Sequence, residues 1–200
     1  MSAISENVIA AAMSTTTTTA PAEAGVTTWS IDPAHTHVEF AVRHLMITTV
    51  KGRFTDVSGT VRMHDNDIAK SEVEININAA SIDTREAQRD AHLRSADFLD
   101  VEKYPEITFR SKRIADVDGD QFKLVGDLFI HGVTREVTLD VTSEGRARDP
   151  WGGERAGFSA KTKIKRGDFG LTWNQSLETG GVLVGDEVKV SLEVELLRKA

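Results

Sequence analysis

Residues 188–196 read Val188-Lys189-Val190-Ser191-Leu192-Glu193-Val194-Glu195-Leu196. Apolar and polar residues alternate without a break. Successive side chains of a strand point to opposite faces, so this stretch presents a wholly apolar face and a wholly polar one. On a helix the same residues would scatter around the axis. The segment therefore predicts a half-buried β-strand.

The same period recurs upstream. Val38, Phe40 and Val42 alternate with His37, Glu39 and Arg43. Val57, Val61 and Met63 share one parity, as do Val73, Ile75 and Ile77. Further matches come from Ile107 and Phe109, from Phe122, Leu124, Leu128 and Ile130, from Val137, Leu139 and Val141, and from Phe158, Ala160 and Ile164. Turn-forming residues separate these runs at 65–67, 118–120, 131–132 and 149–153. About eight strands with one apolar face each predict an all-β fold. Closing them into an antiparallel barrel buries that face and leaves no exposed edge. At this strand number a barrel is either filled by side chains or hollow enough for a small ligand. Gly52, Gly59 and Gly126 fall inside strands and are expected to leave space there or to permit a sharp bend.

One segment breaks the rhythm. Thr84–Ala96 is rich in helix formers, and Asp83 or Thr84 can cap its start. A short inserted helix is expected, with Ala87, Ala91, Leu93 and Phe98 at helical spacing. Such an insertion can plug or gate one barrel mouth.

The chain has 200 residues, a net charge of −7 and no cysteine. Disulfides, thiolate metal sites and a cysteine nucleophile are excluded. An acidic chain has no electrostatic reason to bind nucleic acid. No run reaches the ~20 apolar residues of a membrane helix, so stable membrane insertion is not expected. Residues 1–27, with a threonine run at 15–19, read as a disordered low-complexity tail, and residues 28–200 as one domain. The segment after Met1 has an acid, no Lys or Arg and only a short apolar stretch, so no secretion signal is read and a cytoplasmic protein is expected. Met1 and Met13 both remain candidate translation starts.

Several strings together resemble the bacterial YceI-like family of polyisoprenoid-binding proteins. They are Trp29–His35, Val42–Met46, Val50–Phe54, the long run Arg89–Pro105, Asp168–Leu171 with Trp173-Asn174, and Val184–Val188. The resemblance covers Trp29 to Leu197. It implies an extended lipocalin-like barrel that binds long isoprenoid or amphiphilic chains, with no established catalysis. The chain departs from the family in having His37 where serine is commoner, and in lacking the secretion signal that makes many relatives periplasmic.

The expected ligand-facing set is Val38, Phe40, Val42, His44, Phe54, Val57, Ile75, Ile77, Phe98, Phe109, Phe122, Leu124, Leu128, Leu139 and Phe158. Only His44 among them is polar. Each buried CH₂ contributes ~0.8 kcal/mol, so a chain of about 15 carbons gains roughly 12 kcal/mol gross. Association costs ~4–15 kcal/mol. Burial alone can therefore hold such a ligand, and affinity grows with chain length.

Catalytic fingerprints and cofactor motifs are missing, so neither an enzyme nor a cofactor is expected. Two other readings stay open. His35 and His37 with Glu39 lie at strand spacing and could hold a metal, so a metal-dependent or a lipid-modifying enzyme using this region is one alternative. The domain could also be a stress or interaction module whose lipid is incidental. An isologous homodimer is the default assembly. Arg89, His92 and Arg94 could meet an anionic head group or fix the helix to the sheet.

Overall fold

The computed structural model describes residues 25–178 and 180–200. Most of the expected tail lies outside them. Within the described residues, eleven strands form one antiparallel sheet: β1 (Val26–Ile31), β2 (His37–His44), β3 (Thr48–Phe54), β4 (Val57–His64), β5 (Glu72–Asn78), β6 (Ile82–Asp83), β7 (Glu106–Asp118), β8 (Gln121–Ile130), β9 (Val133–Arg148), β10 (Glu154–Lys165) and β11 (Val184–Arg198). A helix, α1 (Ala87–Arg94), lies between β6 and β7. β1 starts at Val26, inside the span expected as tail.

The sheet runs β1-β4-β5-β7-β8-β9-β10-β11-β2-β3-β6, and β1 also pairs with β11. That last pairing closes an eight-strand antiparallel barrel. The alternating stretch 188–196 is the strand that closes it. One edge of β11 pairs with β10 from Lys165↔Glu187 to Arg155↔Leu197. Its other edge takes β2 over Val184–Glu193 and then β1 over Leu196–Arg198. β1 and β2 are thus two halves of one long strand, interrupted at 32–36. β3 and β4 are broken likewise at 55–56, and β5 and β6 at 79–81. The ring of eight forms the lower storey. β2, β3 and β6 extend it upward, and the segment carrying α1 occupies the side where β6 ends.

The break at 32–36 is held by charge. Asp32 Oδ1 accepts from the Ala34 amide at 3.0 Å. Its Oδ2 meets His35 Nδ1 at 2.9 Å and Arg155 at 2.9 Å. Arg155 also binds Asp149 Oδ2 at 2.9 Å and the Glu195 carboxylate. One guanidinium therefore ties the β1–β2 break to β11 and to the β9–β10 loop. Below it, Trp29, Met63, Ala156 and Leu196 form a core that closes the lower end. Arg146 lies over the Trp29 ring, 5.4 Å from its centroid.

Two expectations are corrected. The α1 cap is Glu86, which accepts from the amides of Gln88 and Arg89; Asp83 instead accepts from the Arg85 amide, and Thr84 is buried. Ala87 and Ala91 are exposed, and the one buried helix residue is Asp90. Its carboxylate takes the Thr84 amide at 2.9 Å and the Thr84 hydroxyl at 2.5 Å. Arg94 donates to the carbonyls of Ala80 and Ile82, both at 2.7 Å. Polar anchoring takes over most of the apolar helix face, with Leu93 still packed against the core. The strand glycines likewise leave no void. Gly52 stands opposite Phe40 in the ladder, and a Cβ there would strike the Phe40 ring and come within 2.7 Å of Thr84 Cγ2.

Two outcomes are expected. Gly52→Ala overpacks this contact and should lower stability by about 1–3 kcal/mol, read as a lower denaturant midpoint. Hydrogen bonds from His35, the Ala34 amide and Arg155 lower the pKa of Asp32, and Arg155 lowers that of Asp149, both from 3.8. A carboxyl depressed on folding adds stability above its unfolded pKa, and this is lost as pH falls through the folded value. Arg155→Met should therefore lower the melting temperature at neutral pH. It should also flatten the loss of stability below about pH 4, measured by thermal scans across pH.

Candidate functional site

The inward faces enclose two chambers. The lower one has a volume of ≈ 170 Å³ and is lined by Val61, Met63, Val73, Ile75, Phe109, Ile114, Phe122, Leu124, Val137, Leu139, Val141, Phe158, Ala160, Leu192, Val194 and Leu196, among others. Ser71 and Thr162 are the polar residues of this lining. Ser71 is already engaged by the His64 amide at 3.0 Å, and Thr162 by the Thr138 carbonyl at 2.7 Å. The upper chamber is ≈ 330 Å³. Its lining mixes Phe40, Val42, Val50, Phe54, Ile82, Leu99, Ile107 and Ile164, among others, with Glu39, Arg43, His44, Arg89, His92, Arg166 and Trp173. Val38, Ile77, Leu128 and Val190 line both.

Every member of the expected ligand-facing set lines one chamber or the other except Val57, which is buried in the core cluster around Trp29. Val38, Ile75, Ile77, Phe109, Phe122, Leu124, Leu128, Leu139 and Phe158 reach the lower chamber. Phe40, Val42, His44, Phe54 and Phe98 reach the upper one.

Sequence periodicity missed the side of the upper chamber formed by residues 166–184. Arg166 organises it. This buried side chain donates to the carbonyls of Gly185 at 3.0 Å, Leu171 at 2.5 Å, Trp173 at 2.9 Å and Val184 at 3.3 Å. Burial pushes its pKa down, against the raising influence of Asp186. Asn174 then takes the place of a strand neighbour for Val184, accepting from its amide at 3.0 Å and donating to its carbonyl at 2.7 Å. These bonds seat Trp173 against His92 and Phe98, with ring centroids 4.8 Å and 5.1 Å away. His92 in turn pairs with Asp97 at 2.9 Å. The Trp173-Asn174 string belongs to the family resemblance, which is the one signal pointing here. Arg89 is spent on the hydroxyl and carbonyl of Thr84, at 2.7 Å and 2.9 Å. Arg89 and Arg94 therefore both fix the helix, and Arg89 also lines the chamber.

The rim of the upper chamber is apolar and strained. Leu45 and Met46 sit at φ of 51° and 59°, in the left-handed region. Arg43 donates to the Met46 carbonyl at 2.5 Å. Met46 and Ile47 face solvent, the latter 72% exposed.

The histidine cluster differs from its sequence reading. His35 lies in the break before β2, while His37 and Glu39 are exposed on the strand. Asp32, His35 and Glu195 are the group whose ligand atoms lie within 4.8 Å of one another among the described residues. The Arg155 guanidinium already bridges its two carboxylates. Among the described residues no helix is long and apolar enough to cross a membrane.

Comparison with known proteins follows the same lines. Residues 29–196 match the YceI-like domain. Protein YceI of Escherichia coli O157:H7 is 45% identical over 137 residues, covering 68% of this chain and 71% of that one. A UPF0312 protein of Vibrio parahaemolyticus is 41% identical over 138 residues, 69% of this chain and 73% of its own. Among solved structures, BcnA of Burkholderia cenocepacia superposes with a TM-score of 0.71 at 25% identity, covering 82% of this chain and 98% of that one. The Campylobacter jejuni YceI protein gives 0.67 at 35% identity, covering 79% and 90%. A polyisoprenoid binding domain from Saccharophagus degradans gives 0.61 at 16% identity, covering 86% and 98%, a likeness of fold.

Arg166→Gln should strand several buried carbonyls and cost about 3 kcal/mol. The expected signature is a red-shifted tryptophan emission as Trp173 gains water, together with the loss of stability.

Proposed function

From the premise that the chain belongs to the YceI-like family, we propose that it binds and carries a long apolar molecule, an isoprenoid or similar lipid, inside its barrel. The observation that carries this is the lower chamber. A protein core usually fills itself with side chains at crystal-like density. Here an apolar space of ≈ 170 Å³ lies inside the ring, continuous in its lining with a second of ≈ 330 Å³. Its polar groups are satisfied within the protein, so they neither demand water nor orient a reactant. Such a space suits a hydrocarbon chain. The Saccharophagus degradans neighbour, alike in fold, is a polyisoprenoid binding domain, and its ligand class is the one this space suits.

The upper chamber supplies the complement. Arg43, His44 and His92 line it beside Trp173. A ligand with one polar end and one long apolar end matches this arrangement in only one direction, tail down. Burial drives binding and the few polar groups orient it. Among the described residues, nothing in the cavity sets a nucleophile beside a base, and the Asp32–His35–Glu195 group is bridged by Arg155 at the wall. The carrier reading therefore stands ahead of a metal-dependent one.

Native purification, solvent extraction and mass spectrometry test the reading. A long-chain isoprenoid or acyl compound is expected at near one-to-one stoichiometry. An empty extract, joined to a failure to take up added polyprenol, would overturn it.

A further inference from the structure

The two chambers meet at four side chains, Val38, Ile77, Leu128 and Val190. These come from β2, β5, β8 and β11, with β2 and β11 adjacent in the sheet, and they mark the waist where the upper storey meets the ring. All are branched and apolar. The valines and the isoleucine are stiff at χ1, so their side chains hold fixed positions there. Ladder partners brace them: Val38 pairs with Leu192 and Phe54, Ile77 with Val57 and Ile107, Leu128 with Phe109, and Val190 with Phe40.

We propose that this waist sets which ligands the barrel accepts, by passing a slender hydrocarbon tail and stopping anything broader. The inference rests on the carrier reading. It adds a substrate class: an amphiphile whose tail is longer than the upper chamber, with its head held above the four residues and its tail end below them.

The strand dimensions put a scale on the length. On β11 the upper lining runs from Val184 to Val190 and the lower from Val190 to Leu196. At ~3.3 Å per residue each span is about 20 Å of strand. A barrel tilt near 40° reduces this to roughly 15 Å along the axis. An extended chain with C–C bonds of ~1.52 Å advances about 1.3 Å per bond, so each chamber is about 12 carbons deep. A tail shorter than this gains nothing from the lower chamber. A longer one must cross the waist, and each carbon past it adds burial against Ile75, Phe122 and Leu124.

The test uses two alcohols with the same head: geraniol, with two isoprene units, and geranylgeraniol, with four. Affinities and association rates are measured for the wild type, for Leu128→Phe and Val190→Phe, which narrow the waist from two different strands, and for Leu128→Ala, which widens it. Wild type should bind geranylgeraniol more tightly than geraniol by roughly a hundredfold or more. Either narrowed variant should lose about tenfold or more of the geranylgeraniol affinity beyond whatever it loses for geraniol. Circular dichroism and a cooperative thermal transition show that each variant has folded, and two narrowed positions guard against one that has not. Leu128→Ala should speed geranylgeraniol uptake more than geraniol uptake. Variants that alter both alcohols alike, or neither, would overturn the waist and leave the carrier standing. A wild type that binds neither alcohol would overturn both.

Discussion

The fold depends on one strand having two neighbours along a single edge. β11 is long enough to pair with β2 and then with β1, and that succession closes the ring. Closure rests on a short ladder, Trp29↔Arg198 to Ile31↔Leu196, and the chain between β1 and β2 must turn without leaving the wall. The Asp32 amide keeps the ladder going by donating to the Glu195 carbonyl at 2.8 Å. Arg155 then ties the carboxylates of Asp32 and Glu195 together on the same spot. Three carboxylates around one arginine are costly to take from water unless each is hydrogen-bonded, and each of these is. They join the break at Asp32 to β11 at Glu195 and to the β9–β10 loop at Asp149, which shows what they are for.

The same division of labour runs through the upper storey. Polar side chains do the fastening, so the surfaces that face the cavity can stay apolar. α1 is pinned by Asp90, Arg89 and Arg94 through backbone and hydroxyl partners. The 166–184 segment is pinned by Arg166 and Asn174. A helix held by its own buried apolar face would have to fill the space beneath it. One held at its edges by hydrogen bonds does not, and the larger chamber lies next to that helix and that segment.

This explains what the sequence could and could not disclose. Period-two alternation depends only on neighbouring residues, so the strands, their inward faces and most of the lower chamber's lining were legible. Val57 shows the limit: its parity is inward, yet its neighbours in the Trp29 cluster cover it. The alanines of α1 misled because helical spacing says nothing about which face meets a partner, and here the partner sought a carboxylate. Gly52 misled because the space it leaves belongs to Phe40 across the ladder. The interruptions at 55–56 and 79–81 carry no strong turn signal, and the Arg155 cluster joins positions more than a hundred residues apart. Arg166 was silent for the same reason, since its carbonyl partners lie in backbone that no residue type announces.

The unequal ends of the cavity carry the remaining functional argument. The floor is shut by Trp29, whose indole nitrogen is satisfied by Thr27 at 2.9 Å and whose ring is covered by Arg146. The top is bounded by a hairpin in left-handed backbone that holds Met46 and Ile47 in solvent. Non-glycine residues adopt that conformation at a cost, and such strain persists where the surroundings enforce it. A polar group driven to the floor would lose its water and find no free partner. The same group at the top stays beside Arg43, His44 and His92. Orientation therefore follows from the difference between the two ends, before any specific contact to a head group is made. On the proposed carrier reading, shape and length sort ligands ahead of head chemistry.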